Sequence, residues 1–120
     1  MHIKGSKMEI ITGAIPLNRL REMAKSRFGD MVKAVVDVDK GIMAVDGELH
    51  ADEEELLLAQ GSKQASLWGI NIYPDAGTGE WIEFDSMINL RPSQGNRSRG
   101  VEDPQVRQRI VEIVSRMVIR

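Results

Sequence analysis

The chain has 120 residues, 42% of them apolar, with 16 Lys and Arg against 18 Asp and Glu and no cysteine. That length sets a single domain able to build an ordinary core, and the missing thiols exclude disulfide scaffolds, cysteine zinc sites and thiol catalysis. The net charge of −2 conceals a basic start (residues 1–36, +4), an acidic middle (37–90, −10) and a basic end (91–120, +4), and a pI near 5.7 argues against a nucleic-acid-binding domain.

Residues 1–7 lack an apolar signal core and are set aside as an extension or expression remnant, leaving 8–120 as one domain. Met8 to Ile11 is a short apolar run that predicts a first strand. Pro16 opens a helix, where its missing N–H costs nothing. Leu17, Leu20, Ala24 and Phe28 follow with helical spacing, and Gly29 suits the position after the helix end. Arg19, Arg21, Lys25 and Arg27 give this helix a solvated basic side. Val32, Ala34, Val36 and Val38 alternate with Lys33 and Asp37, the period of a strand. Asp39-Lys40-Gly41 is a turn, and Ile42 to Val45 returns to make a hairpin.

His50 to Gln60 predicts a second helix, with Asp52 to Glu55 in its first turns, where the helix dipole favours negative charge. Trp68, Ile70 and Ile72 alternate up to Tyr73-Pro74. Trp81 to Phe84 is a further strand and completes a second hairpin. Asp103-Pro104 is an N-cap followed by proline at N1. Val106, Ile110, Ile113, Val114 and Met117 stripe the last helix. The order β-α-β-β-α-β-β-α predicts an α+β fold, a mainly antiparallel sheet of about five strands with helices on one face. No apolar run approaches the ~18 residues of a membrane span.

The densest polar chemistry lies in Arg91-Pro-Ser-Gln-Gly-Asn-Arg-Ser-Arg-Gly100. Guanidinium forks bind carboxylate and phosphate. Arg91, Arg97 and Arg99 would neutralise an anion, while Ser93, Gln94 and Asn96, with Asn89 just upstream, would orient it. Against this, Glu102 and Asp103 occupy the next helix start and spoil it as a phosphate seat, and the arginines can instead answer the acidic middle of the chain. Asp46, Glu48, His50 and Asp52 form a second candidate. If extended, they present carboxylates and an imidazole on one side, as a divalent metal needs. If His50 and Asp52 open a helix, that convergence is lost.

Asp37 to Glu48 lacks the sharp-turn glycine of a calcium loop, since Ile42 stands there. No Gly-x-Ser-x-Gly elbow supports a serine hydrolase. Trp68, Tyr73, Trp81 and Phe84 can serve as a base-stacking platform, but core packing explains at least two of them more simply.

Four strings carry a family resemblance: Arg27 to Val36, Gly47 to Asp52, Leu67 to Pro74 and Trp81 to Asn96. Over Met8 almost to the end, the chain resembles a small prokaryotic family classified as a domain of unknown function. The resemblance implies a cytoplasmic prokaryotic protein and brings no activity, cofactor or catalytic residue. Three functions therefore remain as expectations. The first is an anion-binding module (phosphate, nucleotide or carboxylate) built on the 91–100 loop. The second is a metal-dependent phosphate-ester hydrolase using 46–52 with Asp85 nearby. The third is a homo-oligomer joined through the complementary charge clusters.

Overall fold

The computed structural model describes residues 8–120; residues 1–7, with His2, lie outside them, and so does the expectation that they are an extension. Seven strands and three α-helices follow in chain order: β1 (Glu9–Ile11), β2 (Ile15–Pro16), α1 (Leu17–Arg27), β3 (Val32–Asp37), β4 (Ile42–Val45), α2 (His50–Ala59), β5 (Leu67–Ile72), β6 (Ile82–Glu83), α3 (Pro104–Met117) and β7 (Val118–Ile119). Five strands form one sheet in the order β1-β4-β3-β5-β6, and every neighbouring pair is antiparallel. The expected α+β architecture is therefore the one observed. It adds one small feature, a parallel pairing of β2 with β7. Two residues per strand are too few to leave a readable period.

The register sorts side chains between two faces, because alternate residues of a strand point to opposite sides. Val36 stands opposite Met43 and Trp68, and Ala34 opposite Val45 and Ile70. With Val32 and Ile72 they form the large core, closed by Leu17, Leu20, Met23 and Ala24 of α1 and by Ile110, Ile113, Val114 and Met117 of α3. Val35, Ala44 and Leu67 point the other way and meet Leu57 of α2. The expectation of helices on one face thus holds for α1 and α3, while α2 covers the opposite face. The sheet-facing stripe of α2 is His50, Glu53 and Leu57, two polar residues and one apolar, so no apolar stripe announces the packing.

Turns follow the predicted chemistry. Gly29 has φ +98° and its N–H bonds the Ala24 carbonyl at 2.6 Å, ending α1. Asp37 is buried and its Oδ1 accepts the amides of Asp39 and Lys40, both at 2.9 Å, fixing the β3–β4 turn. The basic side of α1 is not simply solvated. Arg19 pairs with Glu9, Arg21 with Asp75 at 2.7 Å, and Arg27 with both Asp46 and Glu48 at 3.3 Å. Trp68 and Trp81 belong to the core and each lies under a guanidinium, that of Arg91 at 4.7 Å and Arg120 at 4.5 Å. Covered rings are not a platform for bases.

Candidate functional site: a polar cavity beside the second helix

The 91–100 loop folds back on itself. Arg91 and Asn96 exchange both backbone hydrogen bonds, at 2.8 and 3.1 Å. Arg91 is buried over the Trp68 ring and donates from Nε to the Ile88 carbonyl at 3.0 Å and from Nη2 to the Leu67 carbonyl. The Glu54 carboxylate lies 3.5 Å from the same Nη2. Burial lowers the guanidinium pKa, and Glu54 opposes that shift.

Asn89, fully buried, works as a piece of strand. Its Oδ1 accepts the Gly69 amide at 2.8 Å, and its Nδ2 donates to the Gly69 and Arg99 carbonyls at 3.0 and 2.9 Å. Asn96 Nδ2 donates to the carbonyls of Asn89, Ser98 and Gly100, and its Oδ1 accepts the Glu102 amide. Asn89, Arg91 and Asn96 are therefore spent on holding the loop to β5. Gln94 and Ser93 are exposed, with Gln94 reaching the Ala65 carbonyl at 3.3 Å. Arg97 is exposed too; its amide bonds Glu102 at 3.0 Å. Arg99 pairs with Asp85 at 2.6 Å. The seven expected ligand residues do not converge.

The second candidate set disperses as well. Asp46 and Glu48 both answer Arg27, His50 and Asp52 enter α2, and among the described residues no three His, Cys, Asp or Glu groups come together as metal ligands. Members of both clusters nevertheless meet elsewhere. His50, Asp85 and Arg99 line one cavity of about 470 Å³ on the α2 side of the sheet.

This cavity exists because α2 covers only half of its face. The covered half is apolar. Beyond it, Lys33 of β3 stands opposite Asn71 of β5, and Asn71 opposite Glu83 of β6, a polar row across three strands. His50 and Ala51 at the start of α2 wall one side, and Asp85, Ser86 and Arg99 another; Met31, Leu49, Met87 and Ile88 add apolar surface. Gly69 is obligatory here. A Cβ on it would sit 2.5 Å from Ser86 Cβ and 3.2 Å from His50 Cδ2.

Of the charges in the cavity, Asp85 and Arg99 pair with each other, and Glu83 takes neutral donors. Glu83 Oε1 accepts from Asn71 at 2.8 Å and from Tyr73 at 3.1 Å. Loss of water and the bond to Glu83 raise the Tyr73 pKa, which keeps the phenol protonated. His50 Nε2 lies 2.8 Å from the Ile70 carbonyl, so that nitrogen carries the proton and the neutral ring keeps its lone pair on Nδ1. Burial lowers the His50 pKa, and Lys33 adds to the effect. Lys33 lies over the Phe28 ring at 5.3 Å. Among the described residues no carboxylate lies within 4.0 Å of its ammonium.

Glu53, next to the cavity on α2, departs from its expected part as an exposed acid near the helix dipole. It is completely buried, accepts the Gly47 amide at 2.8 Å through Oε2 and leaves Oε1 without a partner. Burial raises its pKa well above the ordinary 4.5. A raised folded-state pKa means that Glu53 favours folding below the unfolded value and that this support is lost as pH rises through the folded value. Glu53→Gln is therefore expected to match wild type below pH ~4 and to be the more stable of the two at neutral pH. Denaturant midpoints across that range test it; a Gln variant less stable at pH 7 than at pH 4, relative to wild type, contradicts it.

Fold and cavity together define a small α+β domain with a ligand-sized polar recess on its half-covered sheet face. The chain belongs to the family described as Protein of unknown function (DUF5674), whose model matches residues 9–117. Among curated proteins and among solved structures nothing matches.

The cavity residues that sequence reasoning missed are Lys33, Asn71 and Glu83. The signal was present in the alternation of β3 and β5, where Lys33 and Asn71 occupy the side opposite the large core. A polar side reads as solvent-facing unless the partner strands and α2 are known to enclose it.

Proposed function

We propose that this protein binds a small organic anion, a carboxylate or phosphate ester with an apolar body, in the cavity beside α2. The observation that carries the reading is Lys33, a cavity cation with no carboxylate within 4.0 Å among the described residues, set in a recess with neutral donors and acceptors at His50, Tyr73 and Ser86. Arg99 carries over from the loop-based expectation as a second cation at the rim, shared with Asp85. The anion head would sit at Lys33 and the apolar body against Leu49 and Met87, which are 57% and 62% exposed. This is the division of labour common in small-molecule sites, with apolar walls and few polar groups setting orientation. The absence of cysteine supports a cytoplasmic setting, and we place the protein in the cytoplasm of a prokaryote.

A thermal-shift panel of carboxylates, nucleotides and phosphorylated metabolites tests the reading. A ligand at 100 times its dissociation constant stabilises by about 2.7 kcal/mol. The expected result is a shift in wild type that Lys33→Met, which keeps the aliphatic stem, abolishes. A shift retained by Lys33→Met, or no shift with any anion, refutes it. A second copy of the chain seated over Leu49 and Met87 is the competing reading; a mass that rises with concentration, without any ligand response, favours it.

A further inference from the structure

We propose that Arg109 and Arg116 of α3 form a second anion site, separate from the cavity, that takes a compact phosphoryl dianion at the β3–β4 turn. Arg109 Nε donates to the Val38 carbonyl at 3.1 Å, and Arg116 Nη2 to the Gly41 carbonyl at 3.4 Å. The two residues lie seven apart, two turns of helix, and so rise from the same side of α3. Both side chains are thus drawn to the same turn, which lies past the end of β3 remote from Lys33.

Gly41 shows how close they come. A Cβ on it would lie 3.1 Å from Arg116 Nη2 and 3.7 Å from Arg109 Nη2. The two guanidinium tips are therefore separated by no more than the sum of those distances. Gly41 also has φ +69°, backbone that favours glycine, and a Cβ there would press on the tip of Arg116.

Two like charges this close repel unless something between them is negative. Among the described residues no carboxylate reaches within 4.0 Å of either guanidinium. Glu112, between them on the helix, instead accepts from Gln108 at 3.2 Å. The carbonyls of Val38 and Gly41 supply only partial charge. Each guanidinium has five N–H donors and gives one of them to the turn, so donors remain on both. With charge-assisted bonds of about 2.7–2.9 Å on either side, one phosphoryl group spans the gap. Arginine rather than lysine at both places fits a ligand read by fork geometry. Anchoring by the turn carbonyls holds both groups in place before the ligand arrives, which lowers the ordering cost of binding.

Isothermal titration of the whole chain with inorganic pyrophosphate, and separately with inorganic phosphate, tests the site. The expected result is a saturable isotherm for one or both, weakened at least tenfold in Arg109→Gln/Arg116→Gln. Arg109→Lys/Arg116→Lys should keep the charge and the fold but bind more weakly than wild type, and Lys33→Met should bind like wild type. If the double Gln variant fails to fold, Arg116→Gln alone, at an exposed position, gives the same reading. No isotherm with either anion at millimolar concentration, equal binding by the Gln variants, or loss of binding in Lys33→Met overturns the proposal. Tighter binding of a short single-stranded oligonucleotide overturns its ligand class.

Discussion

Replacing Arg91 with methionine is expected to destabilise the protein on the order of 3–5 kcal/mol, the range for removing one member of a buried ion pair. The loss has three physical parts. Glu54, only 14% exposed at its side chain, loses its cation. The carbonyls of Leu67 and Ile88 lose their donors, and each buried group left without a partner costs about 1–3 kcal/mol. The face of Trp68 loses its guanidinium cover, although the methionine stem refills part of that space. At about 4 °C per kcal/mol for a chain of this size, the melting midpoint should fall by more than about 10 °C. A midpoint within a degree of wild type, together with lost ligand response, would return Arg91 to the ligand-binding role that composition alone suggested for it.

Asn89→Ala should be nearly as damaging, by about 3 kcal/mol, because one side chain serves both backbone groups of buried Gly69 and also reaches the Arg99 carbonyl. β6 pairs with β5 only at Asn71 and Ile72. At Gly69 the free edge of β5 is completed by the Asn89 amide, which imitates a neighbouring strand. No smaller or apolar side chain supplies both the acceptor and the donor there. Chemical denaturation measures the effect. Stability within about 0.5 kcal/mol of wild type, the range of an indifferent surface change, would show that the staple does not hold the loop.

The two variants locate the limit of what is legible in the sequence. The hairpins, the three helices and their ends could be read because their signals are local: alternation in β3, Pro16 and Asp103-Pro104 at helix starts, Gly29 at a helix end. The resemblance carried by four strings also holds across residues 9–117. The 91–100 loop was legible as a concentration of hydrogen-bonding groups, but not as to whom they serve. Arg91 finds Leu67 and Glu54, and Asn89 finds Gly69, across 20 to 37 positions of chain. Nothing in local spacing encodes such partners.

The cavity was hidden for a related reason. Its floor is a row of single polar residues from three strands, Lys33, Asn71 and Glu83, which only the register brings side by side. Its wall includes His50, which by spacing belongs either to an extended acidic set or to a helix start. The helix start is realised, and the metal set is lost with it. Glu53 shows the same limit from the energetic side. An acid in the first turn of a helix is favoured by the dipole when solvated, yet here the helix lies against the sheet and takes Glu53 inside.

Part of the charge asymmetry of the chain resolves into internal pairs. Arg19, Arg21, Arg27, Arg91 and Arg99 each reach a carboxylate. Lys33 in the cavity and the Arg109–Arg116 pair at the β3–β4 turn are cations to which we assign an external anion.

In the function proposed above, the cavity, and not the arginine-rich loop, receives the ligand. An NMR titration of isotopically labelled protein, with the anion that stabilises it most, tests this directly. Shifts are expected to gather on Lys33, His50, Asn71 and Ser86, and Lys33→Met is expected to remove them while Arg97→Ala does not. Shifts confined to residues 91–97, or undiminished in Lys33→Met, would contradict it.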